Sequence, residues 1–252
     1  MSSSKLGLTT IVLLLPFAIG LAGCSSDTAS RGSATAASCG KAASDGIRDC
    51  IGLISAAWEA CYSNGDAPCA SDDASVAAAL AALQGKVQAS CSDGEFLSLS
   101  VDALVGRLQN SCRSEANSMA WRTYGGPQGA VWPGASSTEK SCLISAHEAV
   151  STMVDGALSA IGTCLTGESC DASSVDAQRE ALAQTALTQV EGACDGTALD
   201  TLIAVDPATY VDRAVHQVDC ITATAHAATS PLTLFCGPSN ADFEPTRGEW
   251  VQ

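Results

Sequence analysis

Twelve cysteines repeat their spacing along this chain, and that spacing limits the possible folds more than any other feature. Cys39 to Cys61 is 22 residues, and Cys142 to Cys164 is also 22. The next gaps are 8 against 6, to Cys69 and Cys170, then 22 against 24, to Cys91 and Cys194, then 21 against 26, to Cys112 and Cys220. Five cysteines therefore correspond in order, and each half adds one of its own, Cys50 in the first and Cys236 in the second. An even set of this kind, in a chain that reaches an oxidising compartment, indicates disulfides. Closely spaced cysteine pairs of the zinc-ribbon type are missing, and so is a C-x-x-C-H haem attachment. The sequence between the cysteines matches in character as well. VDALVGRLQNSC, ending at Cys112, parallels ATYVDRAVHQVDC, ending at Cys220. A unit of about 100 residues present twice is the expected organisation.

Each unit carries the pattern of three helices. Ile47, Ile51, Ile54, Trp58 and Cys61 step by four and three, an amphipathic helical stripe, and Leu143, His147, Val150, Val154, Ala157 and Ile161 form its counterpart. A second stripe runs through Val76, Leu80, Leu83, Val87 and Cys91, matched by Val175, Leu182, Ala186, Val190 and Cys194. The third carries Val101, Leu104, Val105 and Leu108, matched by Val211, Ala214, Val215 and Val218. Expected N-caps are Ser71, followed by Asp72 and Asp73, then Ser100, Ser173 with Asp176, and Asp206 before Pro207. Strand-type alternation is scarce. The expected class is all-α, two tandem disulfide-stapled repeats, each an antiparallel hairpin plus a third helix.

On a helix a 22-residue step is six turns and a small remainder, so Cys39 and Cys61 sit on one face about 33 Å apart. Asn64-Gly65-Asp66 and Thr166-Gly167-Glu168 supply turns that send the chain back. An antiparallel hairpin then pairs Cys61 with Cys69 at its tip and Cys39 with Cys91 at its open end. The second half pairs Cys164 with Cys170 and Cys142 with Cys194. Cys50 lies on the face of Cys39 and is free to take Cys112, and Cys220 to take Cys236. The spacing does not settle these last two bridges, because six cysteines allow many connectivities.

Ahead of the cysteine frame stands a different kind of sequence. MSSSK carries the only charge of the first 23 residues, and LGLTTIVLLLPFAIGLA is uncharged. A basic start, an apolar run and a small-residue end describe a signal peptide over 1–23, and the run is short for a membrane span. Leu21-Ala22-Gly23-Cys24 resembles the lipobox of bacterial lipoproteins. The resemblance implies cleavage before Cys24, lipid on its sulfur and new amino terminus, and a membrane anchor. Ser25 in place of aspartate implies sorting to an outer membrane or the cell surface. Residues 24–38 are small and polar, the composition of a flexible tether. The remaining segments are a first repeat over 39–118, an aromatic Gly/Pro connector over 119–138, a second repeat over 139–239 and a tail over 240–252, which contains Trp250.

Without its first 23 residues the chain holds 11 basic and 27 acidic side chains, a net charge of −16. That charge disfavours nucleic acid as a partner. Candidate chemistry is sparse. His216 and Cys220 lie one helical turn apart with no evident third metal ligand, and His147 falls in an apolar stripe. Serine-hydrolase elbows, P-loops and dinucleotide fingerprints are missing from the sequence, and Asp93-Gly94-Glu95 is too short a ligand set for a calcium loop. No catalytic residue, metal ligand or cofactor is assigned. The connector WRTYGGPQGAVWPG gathers Trp121, Tyr124 and Trp132, either as an exposed contact surface or as filler between the halves; filler is the preferred reading. PLTLFCGPSN, with Phe235, is expected to pin the second half in the same way.

The C-x21-C-x5–7-C-x21–23-C frame, spanning most of 39–236, is similar to that of exported bacterial proteins built from Ala-rich helical hairpins, a group to which no activity attaches. The leading functional reading is a lipid-anchored, non-enzymatic binding or structural module facing a protein or glycan. The alternatives are an envelope hydrolase and a thiol-based metal or redox protein.

Overall fold

The computed structural model describes residues 27–65, 69, 73–125, 131–194 and 199–236. The segment expected to be a signal peptide, Cys24 and the tail over 240–252 lie outside these residues. Among the described residues seven α-helices follow one another: α1 (Asp27–Ser63), α2 (Ala74–Ser90), α3 (Val101–Tyr124), α4 (Ser137–Thr166), α5 (Ala172–Ala193), α6 (Leu199–Ile203) and α7 (Pro207–Ala225). A 3-10 turn, Trp132–Gly134, precedes α4. No β-strand occurs among the described residues, and the protein is all-α.

Local sequence sets where the helices start. Ser100 accepts a hydrogen bond from the Ala103 amide, and Asp206 accepts from the Thr209 amide with Pro207 at the first helical position. Ser136 and Glu139 form a reciprocal capping box at α4. Two expected caps fall elsewhere. Asp73, not Ser71, caps α2, and Asp171, not Ser173, caps α5. In each case the aspartate stands immediately before the helix, with its carboxylate on the amide two residues on. Helix α1 also begins at Asp27, inside the stretch whose composition describes a tether. That stretch holds alanine at 29, 34, 36 and 37, and alanine extends a helix already nucleated downstream at little cost.

Six disulfides tie the helices together. Cys61–Cys69 and Cys39–Cys91 close the two ends of the α1–α2 hairpin, and Cys164–Cys170 and Cys142–Cys194 close those of α4–α5. Cys50–Cys112 fastens α3 to the middle of α1. Cys220–Cys236 fastens the segment after α7 back onto that helix. Within each hairpin a leucine of the second helix lies over a glycine of the first. A methyl built on Gly46 would come within 2.7 Å of Leu83, and one on Gly156 within 3.1 Å of Leu182.

The two hairpins meet through their longest helices. Ser44 of α1 lies against Gly162 of α4, where an added methyl would come within 2.5 Å of the Ser44 hydroxyl. Further along, the carbonyl of Ser55 meets the His147 ring at 3.3 Å. Positions rise on one helix as they fall on the other, so α1 and α4 cross antiparallel. Helix α3 packs on α1, α2 and α4, and α7 packs on α4, α5 and α3. The buried side chains form one continuous set from Cys39 to Leu232, including Ile47, Ile54, Leu83, Leu104, Leu108, Leu143 and Ile161. The halves share a core.

Replacing Cys39 and Cys91 together by serine opens a loop spanning 52 residues and should cost about 4 kcal/mol of unfolding free energy, against about 2.5 kcal/mol for Cys61 with Cys69. Urea unfolding of the two double variants, with the wild type as reference, measures both the order and the size.

Candidate functional site

The residues expected at a contact surface come together in the interior. Helix α3 does not stop before Trp121. It continues to Tyr124 and ends at Gly125, whose left-handed φ of 81° is a conformation glycine adopts without strain. Trp121 is half-buried and Tyr124 and Trp132 are buried, so these three do not form an exposed platform. The reason is the apolar area of the rings, which the α1–α3–α4 junction takes up. Tyr124 stacks on Tyr62 with ring centroids 4.1 Å apart, and Trp132 meets both edge-on at 5.6 and 5.7 Å. The Lys140 ammonium lies 5.2 Å from the Trp132 ring. Phe235 pins nothing: it is 69% exposed on the segment held by Cys220–Cys236.

Beside the rings lies a short polar chain. The Tyr210 hydroxyl is 2.6 Å from the Thr123 hydroxyl, which also lies 3.0 Å from the Met119 carbonyl and 3.5 Å from His147 Nδ1. The Ser55 carbonyl, 3.3 Å from His147 Nε2, can only accept, which places the imidazole hydrogen on Nε2. Burial holds His147 neutral and pushes its pKa down to about 4, and pushes the Tyr210 phenol up to about 12. An imidazole with no exposed surface cannot collect a proton from a substrate in solvent. The chain works as a cross-tie among α1, α3, α4 and α7.

Two further seams anchor α7. The Arg122 guanidinium donates to the Gln217 side chain, and the Gln217 amide donates to the Glu115 carbonyl at 2.7 Å and carboxylate at 2.8 Å. Burial raises the Glu115 pKa, partly offset by the Gln217 hydrogen bond and the charges of Arg122 and His216. Arg179 of α5 pairs with Asp219, which also accepts from the Phe235 amide at 3.0 Å. Cys220 is bonded to Cys236, so the His216–Cys220 turn offers no thiolate to a metal.

Helices α4 and α5 leave grooves on the surface. The larger, about 550 Å³, runs beside Cys164 and presents Asp155, Ser159, Thr163, Asp171, Ser174 and Gln178. The smaller, about 310 Å³, is bordered by Ser145, Glu148, Thr152 and Gln189. Among the described residues no three of His, Cys, Asp and Glu converge in a metal-binding group. Helix α4 is long and apolar enough to cross a membrane, but half of its most apolar window is buried inside the protein, the pattern of a core helix. Tyr62, Thr123 and Tyr210 carried no motif of their own, since their partners lie on other helices.

Fold and site define a disulfide-clamped bundle of two crossed helical hairpins. No protein-family model, curated protein or solved structure matches the chain.

The buried imidazoles make the bundle acid-sensitive. His147 and His226 both titrate near 4 in the folded chain, because burial disfavours their charge, against 6.5 when unfolded. The unfolded chain therefore takes up protons first as pH falls from about 6.5 to 4, and stability declines across that window. For His147 the loss approaches about 3 kcal/mol. Urea midpoints measured between pH 7.5 and 4 should fall, and H147N should flatten the fall. Y210F should cost about 1–2 kcal/mol at pH 7 by leaving the Thr123 hydroxyl with one partner fewer.

Proposed function

We propose that the mature chain is an exported, lipid-anchored, non-enzymatic module of the cell envelope or surface, a rigid bundle presented to a protein or glycan partner. The observation that carries the reading is the cysteine count. The chain has 13 cysteines and 12 are bonded in pairs, so the one left over is Cys24, at the end of the LAGC motif. Disulfides persist in oxidising compartments, which agrees with export. Cys24 carrying lipid on its sulfur and amino terminus would hold the bundle at a membrane, each buried methylene adding about 0.8 kcal/mol. The pairing also counts against a thiol-based metal or redox protein, because it leaves none of the twelve sulfurs as a thiolate ligand.

The surface best suited to a partner is the larger α4–α5 groove. Its hydroxyls, amide and two carboxylates match a polar or cationic ligand, and its size lies in the range of ordinary ligand clefts. The buried aromatic cluster serves instead as the filler that holds the two hairpins together.

Mass spectrometry of the intact, unreduced protein from its native membrane tests the anchor. The expected result is an amino terminus at Cys24 with acyl mass on it, and C24S should move the protein to the soluble fraction without acyl mass. A protein that retains residues 1–23, or carries no lipid, would remove the proposal.

A further inference from the structure

We infer that Cys220–Cys236 is a site of thiol–disulfide exchange, opened by a Cys-x-x-Cys dithiol oxidoreductase that docks on Phe235. Its opening frees the strap over 226–236 while the bundle stays folded. Exchange begins when a thiolate reaches a bridge sulfur, so access decides which bridge reacts. Of the twelve bonded cysteines Cys236 is the one that is exposed, and its partner Cys220 is half-buried. Each of the other five bridges contains at least one buried cysteine: Cys39, Cys50 with Cys112, Cys69, Cys142 with Cys194, and Cys164.

The bundle does not depend on this bridge. The other five close the hairpins or fasten α3 to α1, whereas Cys220–Cys236 holds only the strap, and Cys236 has no counterpart in the first half. Within 227–236 Leu232 is the one buried side chain. Helix α7 is seated by contacts outside the strap. Tyr210 meets Thr123, Gln217 donates to Glu115, and Arg179 pairs with Asp219. Arg107 of α3 also donates to the carbonyls of Ala223 and Thr224 at 3.2 Å, which holds the C-terminal turn of α7. Opening the bridge removes none of these and sets free only the chain beyond the helix.

Phe235 supplies the contact. It is the most exposed large hydrophobic side chain among the described residues and stands immediately before Cys236. Its amide is fixed on Asp219 at 3.0 Å, so the ring is held beside the reacting sulfur. Exposed aromatic rings are favoured at protein contacts. In the exchange, one thiolate of the dithiol attacks Cys236 Sγ, and the Cys220 sulfur leaves as a thiolate and takes up a proton. The second thiol of the oxidoreductase loses its proton and attacks its own partner sulfur in the mixed disulfide, releasing Cys236 as a thiol. The oxidoreductase gives up two electrons and becomes a disulfide, and the bridge becomes two thiols. This chain is the substrate of the exchange and not its catalyst, so the non-enzymatic reading stands.

The test treats the full, oxidised chain with dithiothreitol or with a thioredoxin-type dithiol protein, quenches with N-ethylmaleimide and maps the label by mass spectrometry. Cys220 and Cys236 should be labelled at least about tenfold sooner than any other cysteine, with helical circular dichroism retained. An oxidoreductase whose second active-site cysteine is replaced by serine should be trapped on Cys236. F235A should react with dithiothreitol at the wild-type rate and with the dithiol protein several-fold more slowly. The double variant C220S/C236S should keep the helical signal and stay unlabelled over the same interval. Another bridge opening first or equally fast, or helix loss in step with labelling or in the double variant, would overturn the inference. So would a trap on any other cysteine, no labelling by the dithiol protein, or an F235A that reacts with it as fast as wild type.

Discussion

Covalent clamping at both ends of each hairpin is the constraint on which the rest depends. The second helices of the hairpins bury few large side chains, Val76, Leu80, Leu83 and Val87 in α2 and Val175 and Val190 in α5, and such contacts remove little apolar area per residue from water. The bridges compensate by restricting the unfolded chain, and the long-range ones restrict it most. Their placement also sets geometry. With both ends fixed, Leu83 has nowhere to sit except over Gly46, and Leu182 over Gly156. The hairpins become stiff rods before the larger side chains are asked to hold anything.

The larger side chains are concentrated where the rods cross. Three tyrosines, a tryptophan and a histidine fill the α1–α3–α4–α7 junction, and a hydroxyl chain threads through them. This division of labour explains why one core serves both halves. Sulfur bridges secure each hairpin, and aromatic area with buried hydrogen bonds secures hairpin against hairpin. The Arg122–Gln217–Glu115 and Arg179–Asp219 seams then seat α7 across the second hairpin and α3.

Much of this was legible in the cysteines. Identical 22-residue steps define helices of fixed length, and a short Cys-turn-Cys after each can close only if the chain doubles back. The apolar stripes gave the buried faces, with His147 inside one of them. The connector misled, because glycines and prolines between Trp121 and Gly134 resemble a loop, whereas the first glycine that ends the helix is Gly125. The caps at Asp73 and Asp171 were hidden among neighbouring serines that cap equally well in isolation. Least legible was the chain from Tyr210 through Thr123 and His147 to Ser55. It depends on how α1, α3, α4 and α7 pack, which no local pattern encodes.

The order of the bridges along the first half has a consequence for biosynthesis. Cys39–Cys91 and Cys50–Cys112 interleave, with Cys61–Cys69 nested inside both, whereas the second half uses a nested pair and one sequential bridge. A chain oxidised as it emerges meets Cys50 soon after Cys39, yet in the finished helix these two stand about 16 Å apart and cannot share a bond. Correct closure of the first half therefore requires Cys39 and Cys50 to stay unpaired with each other until Cys91 and Cys112 are in place. The second half can close its bridges with far less reshuffling.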